Sequence, residues 1–242
     1  MKDILTIKPE ELHRDVDDEN FQMSDAEQLL GHRCDEIDTK KKYHLMRECA
    51  SELKEVMRAN NLIALAAPQI GYNCRIFCIQ FEKTIKTFIN PIITSAKGLE
   101  LSRESDVSLP GMEFIRVRHN DIVVTYQNPM GKIESGRMVG ASATLVQKEI
   151  DYLDGLLLSD VGLEVDEDFD NATDEERQEV IDAYLDSIDL MSKKLDDMIH
   201  EDKDTKAIAE AIDFIASVEK GETILSEDVI TAQRIDKKDT DE

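Results

Sequence analysis

The chain has 242 residues and a net charge of −24, from 53 Asp and Glu against 29 Lys and Arg. A surface this acidic repels phosphates, which excludes a nucleic-acid backbone as the main partner. No apolar run reaches the roughly 18 residues that a membrane-spanning helix needs, and the opening Met-Lys-Asp-Ile-Leu lacks the apolar core of a signal peptide. The expectation is a protein with no membrane partner, cytoplasmic or held in an assembly built in a cytoplasm.

In chain order, residues 41–61 space Leu45, Met46, Cys49, Leu53, Val56 and Met57 three to four apart, which predicts an amphipathic helix. It should end at Asn60 and Asn61, which tolerate the left-handed conformation of a C-cap. Pro68 and Gly71 then mark a turn before a β-branched strand through Ile76 and Ile79. Cys74 and Cys78 read as members of that strand, on one face and too far apart to chelate. With Cys34 and Cys49 they are too few and too loosely spaced for a disulfide framework; Cys74 and Cys78 are expected as core thiols, and the compartment as reducing.

A strand with a turn is predicted at 87–94, and strands at 121–128 and 132–140 flank the hairpin loop Asn128-Pro129-Met130-Gly131. Residues 142–161 turn helical, with Leu145, Ile150, Leu153 and Leu157 apolar. Helix, short strands, then a helix packed on them reads as α+β. Beyond Leu163 the composition shifts: 27 Asp and Glu against 9 Lys and Arg carry 18 of the 24 excess negative charges. This divides the chain into a domain at 1–162, an acidic helical extension at 163–235 and a disordered tail at 236–242.

Within the extension, Thr173 with Glu176 three residues later forms a capping box. The helix it starts carries a stripe of Val180, Ile181, Tyr184, Leu185, Ile188, Met191, Leu195 and Met198. Asp204 or Thr205 is expected to cap a further helix through Val218, and Ser226 a short third one. His13, His32, His44, His119 and His200 are scattered and pair with no Cys or Asp at a catalytic spacing. Ser108 follows no nucleophile-elbow pattern.

Three segments resemble, in order, the signature motifs of the peptide deformylase family. "LIALAAPQIG" at 62–71 is similar to Gly-x-Gly-Leu-Ala-Ala-Pro-Gln-Ile-Gly, "ESDVSLPG" at 104–111 to Glu-Gly-Cys-Leu-Ser-x-Pro-Gly, and "QKEIDYLDG" at 147–155 to Gln-His-Glu-x-Asp-His-Leu-x-Gly. "DILTIKPEEL" near the start and "FINPII" at 88–93 also resemble family segments, so the likeness spans about residues 3–162. It implies short antiparallel strands around a central motif-bearing helix. It also implies an enzyme that removes the formyl group from the amino-terminal methionine of new proteins. In that family the motif-two Cys and both motif-three His hold iron or zinc, which activates a water; the motif-three Glu is the general acid/base, and the motif-one Gln stabilises the oxyanion. Such chemistry fits the spacing, since side chains at i and i+4 share a helix face and an open-sited metal brings the pKa of its water to about 7.

Carried over by residue, the resemblance makes Gln69 the oxyanion donor and Glu149 the general base. It makes Leu65, Leu109, Pro110, Gly111 and Arg118 the substrate-pocket equivalents. The three former metal positions are Asp106, Lys148 and Tyr152. Leu62 and Ala64 stand where motif one has glycines, and Ser105 where motif two has one. An ammonium does not ligate a metal and a phenol does so only as phenolate, so no iron or zinc cofactor is expected. Three outcomes stay open at this point: Lys148 pairs with Asp106 and Glu149 where the metal would be; Lys148 points to solvent while Tyr152 fills the pocket; or Asp106, Glu149 and Asp151 hold a hard cation.

The function expected is that of a catalytically inactive relative serving as a binding or structural protein. Its partner would be a peptide, another protein, or further copies in an oligomer or larger assembly such as a virion. A diverged housekeeping gene with an acidic addition suits a bacteriophage or other mobile genome. The alternative is a divergent amide hydrolase using Glu149 and Gln69 on N-formylmethionyl peptides. A third reading makes the acidic helical tail the working surface.

Overall fold

A computed structural model describes residues 2–12 and 25–201, with side chains described up to Leu190 in the last helix. The capped helices expected at 204–218 and 226, the tail at 236–242, His13, the side chain of His200 and the outer stripe Met191, Leu195 and Met198 lie outside the described residues.

Six antiparallel strands form one sheet: β1 (Ala64–Ala66), β2 (Ile76–Phe81), β3 (Thr84–Asp106), β4 (Leu109–Gln127), β5 (Ile133–Val139) and β6 (Leu163–Glu164). The order is β1-β2-β3-β4-β5, with β6 also on β4. Residues 87–94, expected as a strand with a turn, instead lie within one strand of 23 residues. Register shifts between Ile89 and Ile92 and between Ile93 and Ser95 let it pass through Pro91 without breaking, as bulges accommodate a residue that cannot donate to the ladder. β3 and β4 make one long hairpin closed by Val107 and Ser108.

Helices cover both faces. α1 (Pro9–Leu12) and α2 (Asp25–Leu30) precede α3 (Tyr43–Asn60), whose Met46, Cys49, Leu53, Val56 and Met57 are buried. Leu45, read as part of that stripe, is instead exposed. Asn61 ends α3 in the left-handed conformation, φ 53°, as its side chain permits. On the other face lies α4 (Ala141–Asp154), with Ala143, Val146, Ile150 and Leu153 turned inward. β2 sits between the two layers: Ile76 and Cys78 join the α3 cluster, while Phe77 and Ile79 join the cluster under α4. A strand buried on both faces reads as a continuous apolar run.

The helix expected over 142–161 is two helices. α4 stops at Gly155, φ 74°, and α5 (Leu158–Val161) starts after Leu157. A Cβ on Gly155 would meet backbone atoms of Gly31, His32 and Arg33 at 2.7 to 2.9 Å. The acidic stretch begins as part of the sheet through β6, continues as α6 (Glu167–Asn171), and runs out in α7 (Asp174–Glu201). Thr173 and Glu176 form the expected capping box: the Thr173 N–H donates to Glu176 Oε2 at 2.8 Å and the Glu176 N–H to Thr173 Oγ1 at 3.3 Å. No helix among the described residues is long and apolar enough to cross a membrane.

Gly155→Ala is expected to destabilise the protein by about 1–3 kcal/mol or more, because a left-handed alanine carries backbone strain and its Cβ displaces the 31–33 segment. Chemical denaturation checks this, and Gly136→Ala, at a strand position whose nearest neighbour is the flexible end of Met138, is the control.

Candidate functional site

Three elements converge. The 3-10 turn Ala67–Ile70 presents Gln69, the tip of the β3–β4 hairpin presents Asp106 and Ser108, and α4 presents Lys148, Glu149 and Tyr152. The turn residues account for the first two placements. Gln69 folds back so that its Oε1 accepts the Ala66 N–H at 2.8 Å. Asp106 Oδ1 accepts the Ser108 N–H at 2.8 Å, the local bond by which aspartate shapes a tight turn. The amino-terminal segment zips across both, with Leu5 N–H donating to Gln69 O and Ile7 N–H to Ser108 O, each at 2.8 Å.

Asp106 is the hub. Besides Ser108 N–H, its Oδ1 accepts from Gln69 Nε2 at 2.9 Å and from the Tyr152 hydroxyl at 2.8 Å, while Oδ2 lies 2.9 Å from Lys148 Nζ. Lys148 also donates to Ser105 O at 3.2 Å. Its side chain is 15% exposed and that of Asp106 3%, which removes the solvent-pointing reading. Burial opposes the ammonium, but the charge of Asp106, joined by that of Glu149 once it ionises, prevails and holds its pKa above the usual value. Tyr152 is buried, and desolvation beside Asp106 pushes its phenol well above the ordinary range. Lys148 thus pairs with Asp106 but not with Glu149, and Tyr152 fills the interior although Lys148 does not point to solvent; each of the first two expectations is met in one half only.

Glu149 makes no such pair. It is 1% exposed, and its Oε2 is buried without a hydrogen-bond partner. Desolvation raises its pKa to about 8, partly offset by Lys148, so Glu149 is mostly the neutral acid at pH 7. Asp151, expected with it in a hard-cation site, turns instead to Arg118 Nη1 at 2.5 Å. Among the described residues no group of three or more His, Cys, Asp or Glu is placed to hold a metal ion.

Of the pocket equivalents, Leu65 and Leu109 are fully buried and Pro110 and Gly111 are exposed. Arg118 is turned inward, 3% exposed, with both Glu104 oxygens at 2.7 and 3.0 Å on Nε and Nη2. The open space lies beside them: a groove of about 720 Å³ between Ile63 and residues 100–105 of β3, walled by Ile79, Phe81, Leu101 and Leu145, with Lys148 in its lining. Among the described residues β2 pairs with β3 only over 84–89, so residues 91–106 of β3 have a described strand neighbour on the β4 side alone.

Three contributors escape a motif reading. Ser108 Oγ accepts from Gln69 Nε2 at 3.1 Å, so the second amide proton is used too; the Asp-x-Ser spacing signals that turn. Gln147 clamps the backbone of His119 from both sides, at 3.0 and 2.8 Å. His119 itself is buried, and desolvation lowers its pKa against an opposing contribution from the Lys97 backbone.

Lys148→Met strands the Asp106 carboxylate in the interior and is expected to cost about 3–5 kcal/mol. Adding Asp106→Asn removes the uncompensated charge and should recover most of that loss in a denaturation cycle. The pH dependence has a definite sign. Between about pH 4.5 and 8 folded Glu149 keeps a proton that the unfolded chain has released, so this group makes stability fall as pH rises. Glu149→Gln removes the effect: relative to the parent, the variant should gain stability from pH 5 to 8 by up to about 1.4 kcal/mol per pH unit. His119, whose depressed pKa costs stability as pH falls below about 6.5, is common to both proteins and cancels.

A family model described as polypeptide deformylase matches residues 22–166. Peptide deformylase of Dictyoglomus thermophilum is 37% identical over 119 residues, covering 49% of this chain and 78% of the relative. Among solved structures, peptide deformylase from Thermotoga maritima superposes with a TM-score of 0.54 at 24% identity, over 65% of this chain and 95% of that one. That from Thermus thermophilus superposes with a TM-score of 0.51 at 27% identity, over 65% and 88%. Sheet, motif-bearing helix and matched segments agree: the chain has the peptide deformylase fold and belongs to the peptide deformylase family.

Proposed function

We propose that this chain is a metal-free, non-hydrolytic member of the family that binds an extended peptide or protein segment. The observation that carries the reading is the closed network on Asp106. Both donors of Gln69 are spent on Asp106 and Ser108, so the residue matched to the oxyanion donor has no proton left for a substrate oxygen. Glu149, matched to the general base, is mostly protonated at pH 7 and has little capacity to take a proton.

The donor set does not fit iron or zinc. Lys148 is an ammonium held charged by Asp106, Tyr152 is a phenol held protonated, and Asp106 alone is one carboxylate already accepting four donors. Without a metal-activated water, hydrolysis of a formamide needs another nucleophile. Ser108 is no substitute: it is fully buried and already bonded to Gln69.

Binding needs less. The groove offers apolar walls and, along β3, a strand edge to which an extended segment can add main-chain hydrogen bonds. The acidic surface makes a basic or neutral segment the electrostatically favoured partner and a nucleic acid a disfavoured one.

The test combines metal analysis, formyl-Met-Ala-Ser turnover and calorimetric binding of Met-Ala-Ser and longer peptides. Expected are no formate release, no stoichiometric iron, zinc or nickel, and peptide binding that Leu101→Asp, placed in the groove wall, weakens about tenfold or more. Formate release abolished by Glu149→Gln would overturn the reading in favour of a divergent hydrolase. The triple replacement Asp106→Cys, Lys148→His and Tyr152→His should restore about one equivalent of bound metal to the scaffold. A folded triple variant without metal would refute the assignment of these three positions as the former ligand set.

A further inference from the structure

All four cysteines are buried free thiols, and none belongs to the network on Asp106. Cys74 was expected on the strand with Cys78. The structure corrects this: β2 begins at Ile76, and Cys74 lies in the turn that joins Gly71 to the strand. There its sulfur meets Cys49 of α3 at 3.9 Å, whereas Cys78 is paired with the Thr87 hydroxyl at 3.5 Å. Cys49 is fully buried and Cys74 is 3% exposed.

Two sulfurs in contact differ from two core thiols that merely share a cluster. A disulfide needs an S–S distance of about 2.05 Å, so the pair must close by less than 2 Å. Cys49 is fixed on a packed helix. Cys74 sits in irregular backbone whose bonds, Cys74 N–H to Tyr72 O at 3.1 Å and Ile76 N–H to Cys74 O at 2.8 Å, are local to the turn. The hydrogen bond with Cys49 lowers the Cys74 pKa against the effect of burial, with Lys42 and Lys2 contributing in the same direction. Cys74, slightly exposed in its irregular turn where Cys49 is fully buried on a packed helix, is the sulfur that a small oxidant reaches first.

We propose that Cys49 and Cys74 are a site of reversible oxidation, forming a disulfide when the protein meets a small peroxide. In the first step the Cys74 thiolate attacks one peroxide oxygen, the O–O bond breaks, and the departing hydroxide takes a proton to give water and Cys74 sulfenic acid. In the second, the Cys49 sulfur attacks the Cys74 sulfur, the S–O bond breaks, and the Cys49 proton leaves with the hydroxide as a second water. Two thiols and one hydrogen peroxide become one disulfide and two waters, and a dithiol reductant reverses the change. The size of the oxidant matters, because a thiol pair this enclosed admits peroxide far more readily than a bulky disulfide reagent.

The bond would tie α3 to the turn directly behind the one that carries Gln69. Oxidation is therefore expected to stiffen the rear of the site without altering the Asp106 network itself. Because the two cysteines are 25 positions apart, the cross-link should raise Tm by roughly 5–10 °C.

The experiment uses the full chain. It is treated with hydrogen peroxide, unfolded in N-ethylmaleimide, and measured as intact mass and as mapped peptides. Expected are two alkylated thiols in place of four, a 49–74 linked peptide, and recovery of all four thiols and the original Tm after dithiothreitol. Four alkylated thiols after peroxide, stable sulfinic acid on Cys74 with no link, or a link through Cys34 or Cys78 would each overturn the proposal. Cys74→Ser should abolish both the link and the Tm shift; since the parent's own peptide map reports the link, the outcome does not depend on that variant folding.

Discussion

The Asp106 carboxylate is the constraint that the site depends on, because all three segments that meet there donate to it. Gln69 arrives from the 3-10 turn, Ser108 from the hairpin tip, and Lys148 with Tyr152 from α4; all but the lysine converge on one oxygen. A buried carboxylate is tolerable only when it is paired and hydrogen-bonded, since desolvating an isolated charge costs several kcal/mol even after relaxation. Here the same four donors that satisfy the charge also fix three backbone segments relative to one another. A carboxylate at this position acts as a cross-link that is electrostatic and directional.

That arrangement explains why Glu149 is left without a partner. Lys148 and Glu149 are adjacent on α4 and so point about 100° apart around the helix axis; the lysine that reaches Asp106 cannot also lie along the glutamate. Arg118, the other nearby cation, is already engaged by Glu104 and Asp151. With every local positive charge committed, Glu149 lowers its energy by keeping its proton. Its neutrality is therefore a consequence of the same network that occupies Gln69.

Much of this was legible in the sequence, and the places where it was not have physical causes. The α3 stripe, the Asn61 cap and the Thr173–Glu176 box are local signals, set within a few residues, and they appear as read except for Leu45, which the helix leaves exposed. The three motif segments fix which residues meet, because Gln69, Asp106 and Lys148 are brought together by turns whose chemistry lies in the motifs themselves. Pairing Lys148 with Asp106 rather than with both acids was not legible, since it depends on helix phase and on Arg118 arriving from a different strand. Pro91 concealed the continuity of β3, because a bulge that absorbs a proline depends on the partner strand. Cys74 lies two residues before the strand for a similar reason: the run "NCRIFCIQF" has strand composition throughout, whereas the Arg75 N–H is taken by Asp35 O, at 3.0 Å, from a segment distant in sequence.

The acidic extension shows how far composition and architecture can diverge. A shift in charge at residue 163 marks a boundary in the sequence, yet Leu163 and Glu164 pair with Ile115 and Phe114 of the hairpin. Beyond them Arg103 bridges Glu113 of the hairpin and Asp170 of α6, Arg177 donates to the carbonyls of Phe169 and Asp170, and the Tyr184 hydroxyl donates to Val161 O at 2.8 Å. Arg103 lies on a strand that also borders the groove. Arg103 thus fastens the acidic segment to the strand that borders the groove, while Arg177 ties α7 to α6 within the segment. Holding that edge straight and unpaired is a structural task that a long two-stranded hairpin, prone to twist, does not accomplish alone. In this arrangement the extension braces the β3–β4 hairpin, so the first turns of the acidic segment belong mechanically to the domain from which their composition separates them.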